Sequence, residues 1–446
     1  MSMPTDQSAD RPGLAASGQS GLSSLWLSTA GPAPLLPTLA GDCRTEVAII
    51  GAGYSGLAAA HRLQQRGVAA VVLDANEVGF GGSGRNGGVV SAKYRLSFPA
   101  IAGAYGLDIA RLMHRIAHES VDAVEELVQE FGIGAAGFAR VGNLKCAHTE
   151  RSSASIVAEA EWLQRELGDR AVAVLTPAEV AAETGSRSFR SGVLTKDAGA
   201  IHPLNYIRGL AAGLAARQVQ IYEHSPVTEM QRASDGVSLL TPRGRVHAQQ
   251  VIVATDAWSN LSPATRRFRQ SIIPFRSAII ATEPLPPELN ARLLVNCRSY
   301  TETRRMMKWF RKVDGRVIFG GRGAFGKQES MAAFDGLQHG MCALFPELQA
   351  VRVTHRWSGF VGMTMDQLPH VGRQDDRISF CVGYNGAGVA MASMLGRYAA
   401  DFAMGEQPAV GLLDASRLKA VPFYPLREAG VRMVAGWYQL LDAIGR

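Results

Sequence analysis

The sequence predicts an α/β fold of two interlocked domains, and three observations support that prediction. A glycine-rich turn joins an apolar strand to a helix near residue 51, and a second turn of this kind follows residue 382. Between them, residues 271–360 are rich in strand-forming residues, which favours a separate antiparallel sheet. The 446 residues also exceed the length that one hydrophobic core usually spans, so more than one domain is expected.

The composition excludes several classes of protein. Hydrophobic residues make up 47% and charged residues 19% of the chain, which is typical of a globular protein and not of a disordered or fibrous one. No apolar run approaches the roughly 18 residues of a membrane-spanning helix, so no integral membrane segment is expected. The net charge is +7, but the basic residues stand singly or in pairs such as Arg266-Arg267, which argues against a nucleic-acid partner.

The cysteines and the N-terminus bear on location. The five cysteines are far apart and lack Cys-x-x-Cys spacing, so neither a disulfide framework nor a metal site is predicted. Residues 1–21 lack the basic and apolar regions of a signal peptide and are expected to form a disordered extension. The side chains of Leu22, Trp26, Leu35 and Leu39 could pack as an arm. Free thiols and a cytoplasmic location are the expectation.

The first glycine-rich turn has the order of a dinucleotide-binding unit. A strand over 45–50 ends at Gly51-Ala52-Gly53-Tyr54-Ser55-Gly56, a helical pattern runs to Gly67, and a second strand ends at Asp74. Gly51 permits a tight turn, Gly53 lets the backbone approach a pyrophosphate, and Gly56 lets helix and strand pack closely. The helix N-terminus favours phosphate, and Asp74 lies where a carboxylate accepts hydrogen bonds from a ribose. The pattern alone does not distinguish a nicotinamide from a flavin dinucleotide.

A second glycine-rich segment follows directly. Residues 79–88 read Gly-Phe-Gly-Gly-Ser-Gly-Arg-Asn-Gly-Gly. A run of this composition cannot form a helix or a packed strand, so the segment is predicted to be irregular backbone that turns tightly or lies close to a flat ligand. A flexible surface linker is the alternative, against which Arg85 and Asn86 argue.

The rest of the chain alternates helices and strands. Apolar spacing predicts helices over 105–131, 153–167 and 204–216, and Thr176-Pro177-Ala178-Glu179 is a capping box that opens another. The predicted strands are 219–222, a hairpin of 237–240 with 245–254, 272–281, 305–310, 316–319 and 351–357, with a helix near 331–345. A last buried strand, 378–382, runs into Gly383-Tyr384-Asn385-Gly386-Ala387-Gly388 and a helix of small residues. That helix N-terminus could stabilise negative charge on a ligand ring.

Four motifs in this order resemble those of a known family. They are Gly51–Gly56, Gly82–Gly88, Trp357-Ser358-Gly359 with Asp366-Gln367-Leu368-Pro369, and Gly383–Gly388. Together they resemble the FAD-dependent D-amino-acid oxidase superfamily, in its glycine/sarcosine oxidase branch, with similarity to gamma-glutamylputrescine oxidase-like proteins. The resemblance extends over about residues 22–445. It implies a Rossmann-like FAD-binding domain interlocked with an antiparallel-sheet α+β substrate domain.

The resemblance implies how the chain divides into domains. The FAD-binding domain would comprise residues 22–100, 201–265 and 360–420, and the substrate domain residues 101–200 and 266–359. Residues 421–446 would form a C-terminal helical tail, whose apolar residues at helical spacing need a partner surface in the same chain or a neighbouring subunit. An oligomer is therefore possible.

The resemblance also implies bound FAD. Glycines 51, 53 and 56 would meet the pyrophosphate, Asp74 the ribose, the 83–88 loop the flavin ring, Val227 the adenine, and the 385–389 turn the pyrimidine side of the flavin. The residues expected to contact FAD are Gly51, Gly53, Tyr54, Ser55, Gly56, Asp74, Ala75, Ser83, Gly84, Arg85, Asn86, Gly87, Gly88, Val227, Ala254, Thr255, Asn385, Gly386, Ala387, Gly388 and Val389. Some relatives attach FAD through a cysteine near 304–310, where this chain has none, so noncovalent binding is expected.

The implied activity is oxidation of the CH–NH bond of a small amine or amino acid. A hydride would pass to flavin N5, the imine would hydrolyse, and O2 would reoxidise the flavin. Lys93 and Arg276 are candidates for binding a substrate carboxylate or activating oxygen, or else are solvated surface charges. His202 is a candidate pocket residue or a structural one, and Tyr384 could line an aromatic wall.

Two other functions stay open at the level of sequence. An amine dehydrogenase of the same fold would pass electrons to a quinone or a protein acceptor. A flavoprotein with a mainly structural FAD would share the same motifs. A plain NAD dehydrogenase is disfavoured because it would leave the segments 82–88 and 383–388 unexplained.

Overall fold

The computed structural model describes residues 23–259, 263–265, 268–324 and 331–443, so the predicted disordered extension lies outside the described residues. The helices are α1 Leu25–Thr29, α2 Tyr54–Gln65, α3 Gly82–Arg85, α4 Phe98–Tyr105, α5 Leu107–Glu130, α6 Glu150–Leu167, α7 Pro177–Thr184, α8 Pro203–Ala216, α9 Pro287–Arg292, α10 Met331–Leu344, α11 Gly388–Ala403 and α12 Arg427–Ala443. The strands are β1 Cys43–Ile50, β2 Ala70–Leu73, β3 Val89–Val90, β4 Asn143–Ala147, β5 Val172–Leu175, β6 Ser191–Thr195, β7 Gly199–Ala200, β8 Gln220–Tyr222, β9 Glu229–Ala233, β10 Gly236–Thr241, β11 Gly244–Val253, β12 Ile273–Thr282, β13 Ser299–Glu302, β14 Lys308–Val313, β15 Arg316–Ala324, β16 Val353–Met363, β17 His370–Arg373 and β18 Ile378–Val382. The predicted α/β fold class is confirmed.

The first sheet has the order β17-β18-β11-β1-β2-β8, with the antiparallel strands β10 and β9 attached to β11. Strands β18, β11, β1, β2 and β8 run parallel, and Ile50 pairs with both Leu73 and Val253. This register brings the carboxyl ends of β1, β2 and β11 side by side. Ligands of such sheets bind at that edge, so Gly51, Asp74 and Ala254 begin the loops of a binding site.

The second sheet has the order β16-β12-β15-β14-β13-β4-β6-β5. Its pairs are antiparallel except for β13 with β4, which run parallel. A core of aromatic and aliphatic side chains fills one face of this sheet, with the ring of Phe310 stacked between those of Tyr300 and Phe319. Helix α10 covers this core through Phe334, Leu337 and Met341.

Helix–helix packing fixes the dinucleotide unit on its sheet. Helix α11, predicted to be a helix of small residues, lies directly on α2, and a Cβ at Gly396 would overlap the carbonyl oxygen of Ser55. The two glycine-rich helix starts, residues 53–56 and 387–389, therefore lie close together in space although the sequence separates them widely. The small residues of α11 thus allow close packing on α2, and this role is independent of any contact between the N-terminus of α11 and a ligand.

Of the four residues expected to pack as an N-terminal arm, Leu22 lies outside the described residues, and two of the other three are buried. Trp26 in α1 is fully buried and Leu39 is 2% exposed, whereas Leu35 is fully exposed. Trp26 Nε1 donates a hydrogen bond to the carbonyl of Asn86 at 2.7 Å. The arm therefore braces the second glycine-rich segment from outside.

Two expectations about boundaries need correction. Strand β16 runs through the predicted domain boundary at 359/360, so residues 360–363 continue the second sheet. The strand expected over 305–310 occupies Lys308–Val313, because its pairing with β15 through the turn at Gly315 fixes the register. The remainder of the domain division stays a prediction.

The C-terminal tail is helical, as predicted, over Arg427–Ala443. Val434 and Trp437 on this helix are exposed. Among the helices of the described residues, none is both long enough and apolar enough to cross a membrane.

Candidate active site

A cavity of about 420 Å³ lies between the two sheets. One wall comes from the loops at the carboxyl ends of β1, β2 and β11, and the other from strands β12, β14 and β16. The volume falls in the range of roughly 300–1,000 Å³ typical of small-molecule sites. The glycine-rich turns of residues 51–53 and 386–388 both reach this cavity.

The three glycines of the first turn have different roles. Gly51 has a φ of +105°, and a Cβ there would lie 2.8 Å from the carbonyl oxygen of Ala254. A Cβ at Gly56 would overlap the carbonyl oxygen of Gly51, so this position serves close packing of α2 on β1. Gly53 caps α2 and lines the cavity, with Ser83 Oγ at 3.0 Å from a Cβ position. Gly53 is therefore the position at which a side chain would enter the binding space.

Asp74 is held at the end of β2 by backbone amides. Its Oδ2 accepts a hydrogen bond from the Ala52 N–H at 2.7 Å, and its Oδ1 accepts one from the Asn76 N–H at 2.9 Å. Burial raises the pKa of Asp74, and these amide hydrogen bonds oppose that effect. The carboxylate is thus fixed in the cavity wall beside the first turn, where a ribose hydroxyl could donate to it.

The second glycine-rich segment contains one turn of helix, α3, so the prediction that it could not be helical was wrong. Asn86 helps to hold the turn, because its backbone N–H donates to the carbonyl of Gly82, and its Nδ2 donates to the carbonyls of Gly82 at 3.0 Å and Ser83 at 2.9 Å. A Cβ at Gly84 would overlap the carbonyl oxygen of Gly79. Tertiary contacts therefore override the low helix propensity of glycine here.

This segment is bonded to the start of α2. Ser83 Oγ accepts a hydrogen bond from the Tyr54 N–H at 3.1 Å, and the Tyr54 hydroxyl donates to the Ser83 carbonyl at 2.6 Å. Burial raises the pKa of Tyr54, so its hydroxyl stays protonated and remains a donor. These two hydrogen bonds join the start of α2 to the second glycine-rich segment, and both line the cavity.

Arg311 on β14 holds the same segment from the opposite sheet, and sequence reasoning missed it. Its Nη1 donates to the carbonyls of Gly88 at 2.7 Å and Ile201 at 3.1 Å. Its side chain is buried, and burial lowers the pKa of Arg311 to about 10. In the sequence, Arg311 is one of many isolated arginines in a strand, so only the fold identifies its role.

Replacing Arg311 with methionine is expected to lower the free energy of unfolding by about 2–4 kcal/mol, because buried carbonyl groups lose a charged donor. Urea denaturation of the protein without flavin measures this. Arg292→Met is the matched control, since Arg292 is exposed and its only described ion pair, with Glu347, lies at the surface. The control should change stability by less than about 0.5 kcal/mol. Equal effects of the two substitutions would contradict the role of Arg311.

The second glycine turn is anchored by Asp256, another residue that sequence reasoning did not single out. Asp256 follows β11 with a φ of +41°, and its Oδ1 accepts the Gly383 N–H at 2.7 Å. Burial raises the pKa of Asp256, which backbone amides oppose. Asn385, also at positive φ (+54°), accepts the Thr364 N–H at 3.0 Å through its Oδ1. The turn is therefore preorganised by the side chain of Asp256, which follows β11, and by the side chain of its own Asn385, which bonds the backbone just after β16.

Three of the four proposed catalytic residues line the cavity: Lys93, Arg276 and Tyr384. Arg276 is 2% exposed, its Nη1 donates to Ser358 Oγ at 2.7 Å, and its guanidinium lies 4.3 Å from the ring centroid of Phe360. These contacts rule out the alternative of a solvated surface arginine. The side chains of Trp309 and Phe360 form part of the aromatic wall.

Lys93 lines the cavity and is only partly exposed, unlike a solvated surface lysine. Burial, with a smaller contribution from the positive charge of Lys145, lowers the pKa of Lys93 to about 8. A lysine with that pKa exchanges protons near neutral pH, which suits acid–base chemistry. In the chain, Lys93 follows the second glycine-rich segment directly, and both line the cavity.

Tyr384 contributes its ring to the wall while its hydroxyl points away from open space. The hydroxyl forms a short hydrogen bond with Ser55 Oγ and a longer one, at 3.4 Å, to the Cys381 carbonyl. Burial raises the pKa of Tyr384 well above its usual value. Tyr384 therefore joins the two glycine-rich helix starts.

His202 does not line the cavity. Its Nδ1 accepts the Asn205 N–H at 3.2 Å, which caps α8, and its Nε2 lies 3.0 Å from Thr29 Oγ1. Burial lowers the pKa of His202 to about 4, so it is neutral at physiological pH. Of the two roles that the sequence left open for His202, the geometry supports the structural one.

Most of the predicted cofactor residues border the cavity. The residues that do so are Gly51, Gly53, Tyr54, Ser55, Asp74, Ala75, Ser83, Arg85, Asn86, Gly87, Val227, Ala254, Thr255, Asn385, Gly386, Gly388 and Val389. Gly56, Gly84, Gly88 and Ala387 do not border it. The first three allow close backbone packing, and Ala387 starts α11. Sequence reasoning missed Thr301, Met307, Trp309 and Phe360, which the second sheet contributes.

The fold and this site define a dinucleotide-dependent oxidoreductase. The family model of FAD dependent oxidoreductases (DAO) matches residues 46–402, and the chain belongs to this family. The gamma-glutamylputrescine oxidoreductase of Escherichia coli is 29% identical over 418 residues, which cover 92% of this chain and 95% of that protein. A probable oxidoreductase, OrdL, of Haemophilus influenzae is 28% identical over 89% of this chain and 92% of its own length.

The same fold occurs in a solved structure. The glycine oxidase of Geobacillus kaustophilus superposes with a TM-score of 0.71 at 22% identity, covering 84% of this chain and 98% of that chain. The predicted resemblance to the D-amino-acid oxidase superfamily is confirmed. The chain is thus an FAD-dependent oxidoreductase with amine and amino-acid oxidases among its relatives.

Proposed function

We propose that this protein oxidises the CH–NH bond of a small amine or amino acid that carries an anionic group, using noncovalently bound FAD. One observation supports this most directly: a single cavity is lined by a dinucleotide-binding edge, by Arg276 and aromatic side chains of the second sheet, and by Lys93. The similarity to a gamma-glutamylputrescine oxidoreductase makes glutamylated polyamines the first substrates to test.

The residues present fit FAD. Gly53 leaves the start of α2 open toward the cavity, Asp74 offers carboxylate oxygens beside it, and Val227 borders the same space. The first-turn amides of α2 and α11 would face phosphate and the pyrimidine side of the flavin. When bound, FAD supplies the two-electron acceptor that amine oxidation needs. We assign the cofactor contacts to the predicted residues that border the cavity.

The chain's own residues would position and deprotonate the substrate. Arg276, held by Ser358 and Phe360, would bind a carboxylate of the substrate. A substrate amine must lose its proton before its C–H bond is oxidised. Nζ of Lys93, neutral in a large fraction of molecules near pH 8, would take that proton. The apolar wall of Trp309, Met307 and Phe360 would exclude water from the reacting carbon.

Anaerobic titration tests the proposed function. Purified protein with bound flavin is mixed with gamma-glutamylputrescine, putrescine, sarcosine, pipecolate, and D- and L-amino acids, and absorbance near 450 nm is recorded. Bleaching by an amine that carries a carboxylate is the expected result. Re-aeration or addition of a quinone-like dye then separates an oxidase from a dehydrogenase. If no compound of the panel bleaches the flavin, the proposal is contradicted and a structural role of the flavin is favoured.

Noncovalent binding gives a separate prediction. No cysteine occurs among the described residues that line the cavity, and Cys297, nearest in sequence to β14, is exposed. Acid or SDS denaturation is therefore expected to release all the flavin into the supernatant. Flavin that stays with the polypeptide on a denaturing gel would overturn this prediction.

A further inference from the structure

A cluster of two histidines and two carboxylates lies outside the cavity, where α5 meets the loop between α6 and β5. His114 and His118 stand one turn apart on α5, and Asp169 faces them from the loop. His114 Nε2 lies 3.0 Å and His118 Nε2 3.7 Å from Asp169 Oδ2. Ring centroids of the two histidines are 4.3 Å apart. No step of the proposed oxidation uses these residues.

The backbone aims Asp169 at the histidines. Its Oδ1 accepts the Ala171 N–H at 2.9 Å, and its own N–H donates to the Leu163 carbonyl, so Oδ2 is the oxygen directed at the imidazoles. Asp169 is 8% exposed, which is low for a carboxylate. A helical i, i+4 spacing puts both histidines on one face. Three donor atoms from two segments therefore converge on one point.

The distances suit a metal ion. With zinc–ligand bonds of roughly 2.0–2.1 Å in tetrahedral geometry, neighbouring donor atoms are about 3.3 Å apart. The separations of 3.0 and 3.7 Å lie on either side of that value, and all three donor atoms lie within 4.8 Å of one another. Two imidazoles and one carboxylate are a ligand set that zinc commonly takes.

Asp197 supplies the outer contact that such a site needs. Its Oδ2 lies 3.3 Å from Nδ1 of His118, on the ring nitrogen opposite the one that faces Asp169. A carboxylate in this place fixes the ring and keeps Nε2 available as a ligand. The cationic side chains of Arg170 and Lys196 border the same pocket as the two histidines, so positive charges lie near the two carboxylates.

We propose that His114 Nε2, His118 Nε2 and Asp169 Oδ2 bind a Zn²⁺ ion, with Asp197 orienting His118 and a water completing the coordination. Binding releases the proton that His114 and Asp169 share in the metal-free protein. The ion would join α5 to the loop before β5. Through Asp197 it would also reach the turn before β7, which pairs with β3, close to Lys93 in the chain. The ion would thus hold together α5, the loop before β5 and the turn before β7.

Metal binding to untagged, FAD-loaded protein tests the proposal. After chelator treatment, incubation with Zn²⁺ and desalting, we expect one equivalent of Zn²⁺ per chain by elemental analysis, and a melting temperature a few degrees above that of the metal-free protein. Co²⁺ in place of Zn²⁺ should give the visible absorption bands of a four-coordinate site. An untagged chain is essential because a polyhistidine tag binds the same ions.

Variants locate the ion. His118→Gln and Asp169→Asn should each lose the bound equivalent, the Co²⁺ spectrum and the thermal shift, while flavin absorbance shows that the chain is still folded. His339→Gln is the matched control, because His339 is an exposed histidine on α10. The control should retain all three signals. Wild-type protein that takes up no Zn²⁺, or variants that keep the equivalent, would overturn the proposal.

Discussion

Replacing Gly53 with valine is expected to give a folded protein without flavin. A Cβ at Gly53 would lie 3.0 Å from Ser83 Oγ, and the further methyl groups of valine would enter the cavity at the start of α2. The backbone could then no longer approach a pyrophosphate. The ratio of absorbance at 450 nm to that at 280 nm should fall below roughly a tenth of the wild-type ratio.

Two further substitutions make this result specific. Gly103→Val is the matched control, since Gly103 is exposed on α4 and no atom lies within 4 Å of its Cβ position. It should keep full flavin content. Gly56→Ala should instead lower stability and yield, because a Cβ there overlaps the Gly51 carbonyl. A yellow, fully loaded Gly53→Val protein would contradict the assignment of this edge to the cofactor.

Replacing Lys93 with methionine is expected to lower kcat/KM by about 100-fold or more near pH 8, a typical loss for a removed base. The pKa of Lys93 is about 8, below its usual value, so the neutral amine is present above pH 8 and disappears below it. The wild-type profile of kcat/KM should therefore rise toward pH 8 and then flatten. The variant should lack this limb and keep only the ionisation of the substrate amine.

Lys145 provides the control for this prediction. Its positive charge helps to lower the pKa of Lys93, yet it pairs with Glu159 at 3.0 Å and does not line the cavity. Lys145→Met should thus leave the maximal rate unchanged and raise the pKa of Lys93, which moves the limb to higher pH. A Lys93→Met profile with the same limb as the wild type would show that another group takes the proton.

Much of the site could be predicted because its information is local. Gly51, Gly53, Gly56 and Asp74 lie within one strand–helix–strand unit, in which chain order and close packing leave few alternatives. The second turn, Gly383–Gly388, was found by the same reasoning. Glycine was a less reliable guide in α3, because the side chain of Asn86 and close backbone contacts made a helical turn where composition disfavoured one.

The residues that were missed act over long distances in the sequence. Arg311 holds the carbonyls of Gly88 and Ile201, which are 223 and 110 positions away, and Asp256 holds the amide of Gly383, which is 127 positions away. His114, His118 and Asp169 meet only because the loop before β5 returns to α5. Nothing in the local pattern of these residues distinguishes them from surface charges.

The sequence by itself predicted a dinucleotide-binding unit, because its motif is a short run of residues in a fixed order. Four such motifs together indicated the family, and through the family the cofactor FAD. Only the tertiary structure decided that Arg276 is buried at the cavity, that His202 caps a helix, and which side chains of the second sheet face the first. The physical reason is that the periodicity of apolar residues reports which face of an element is buried, and not which distant element covers it.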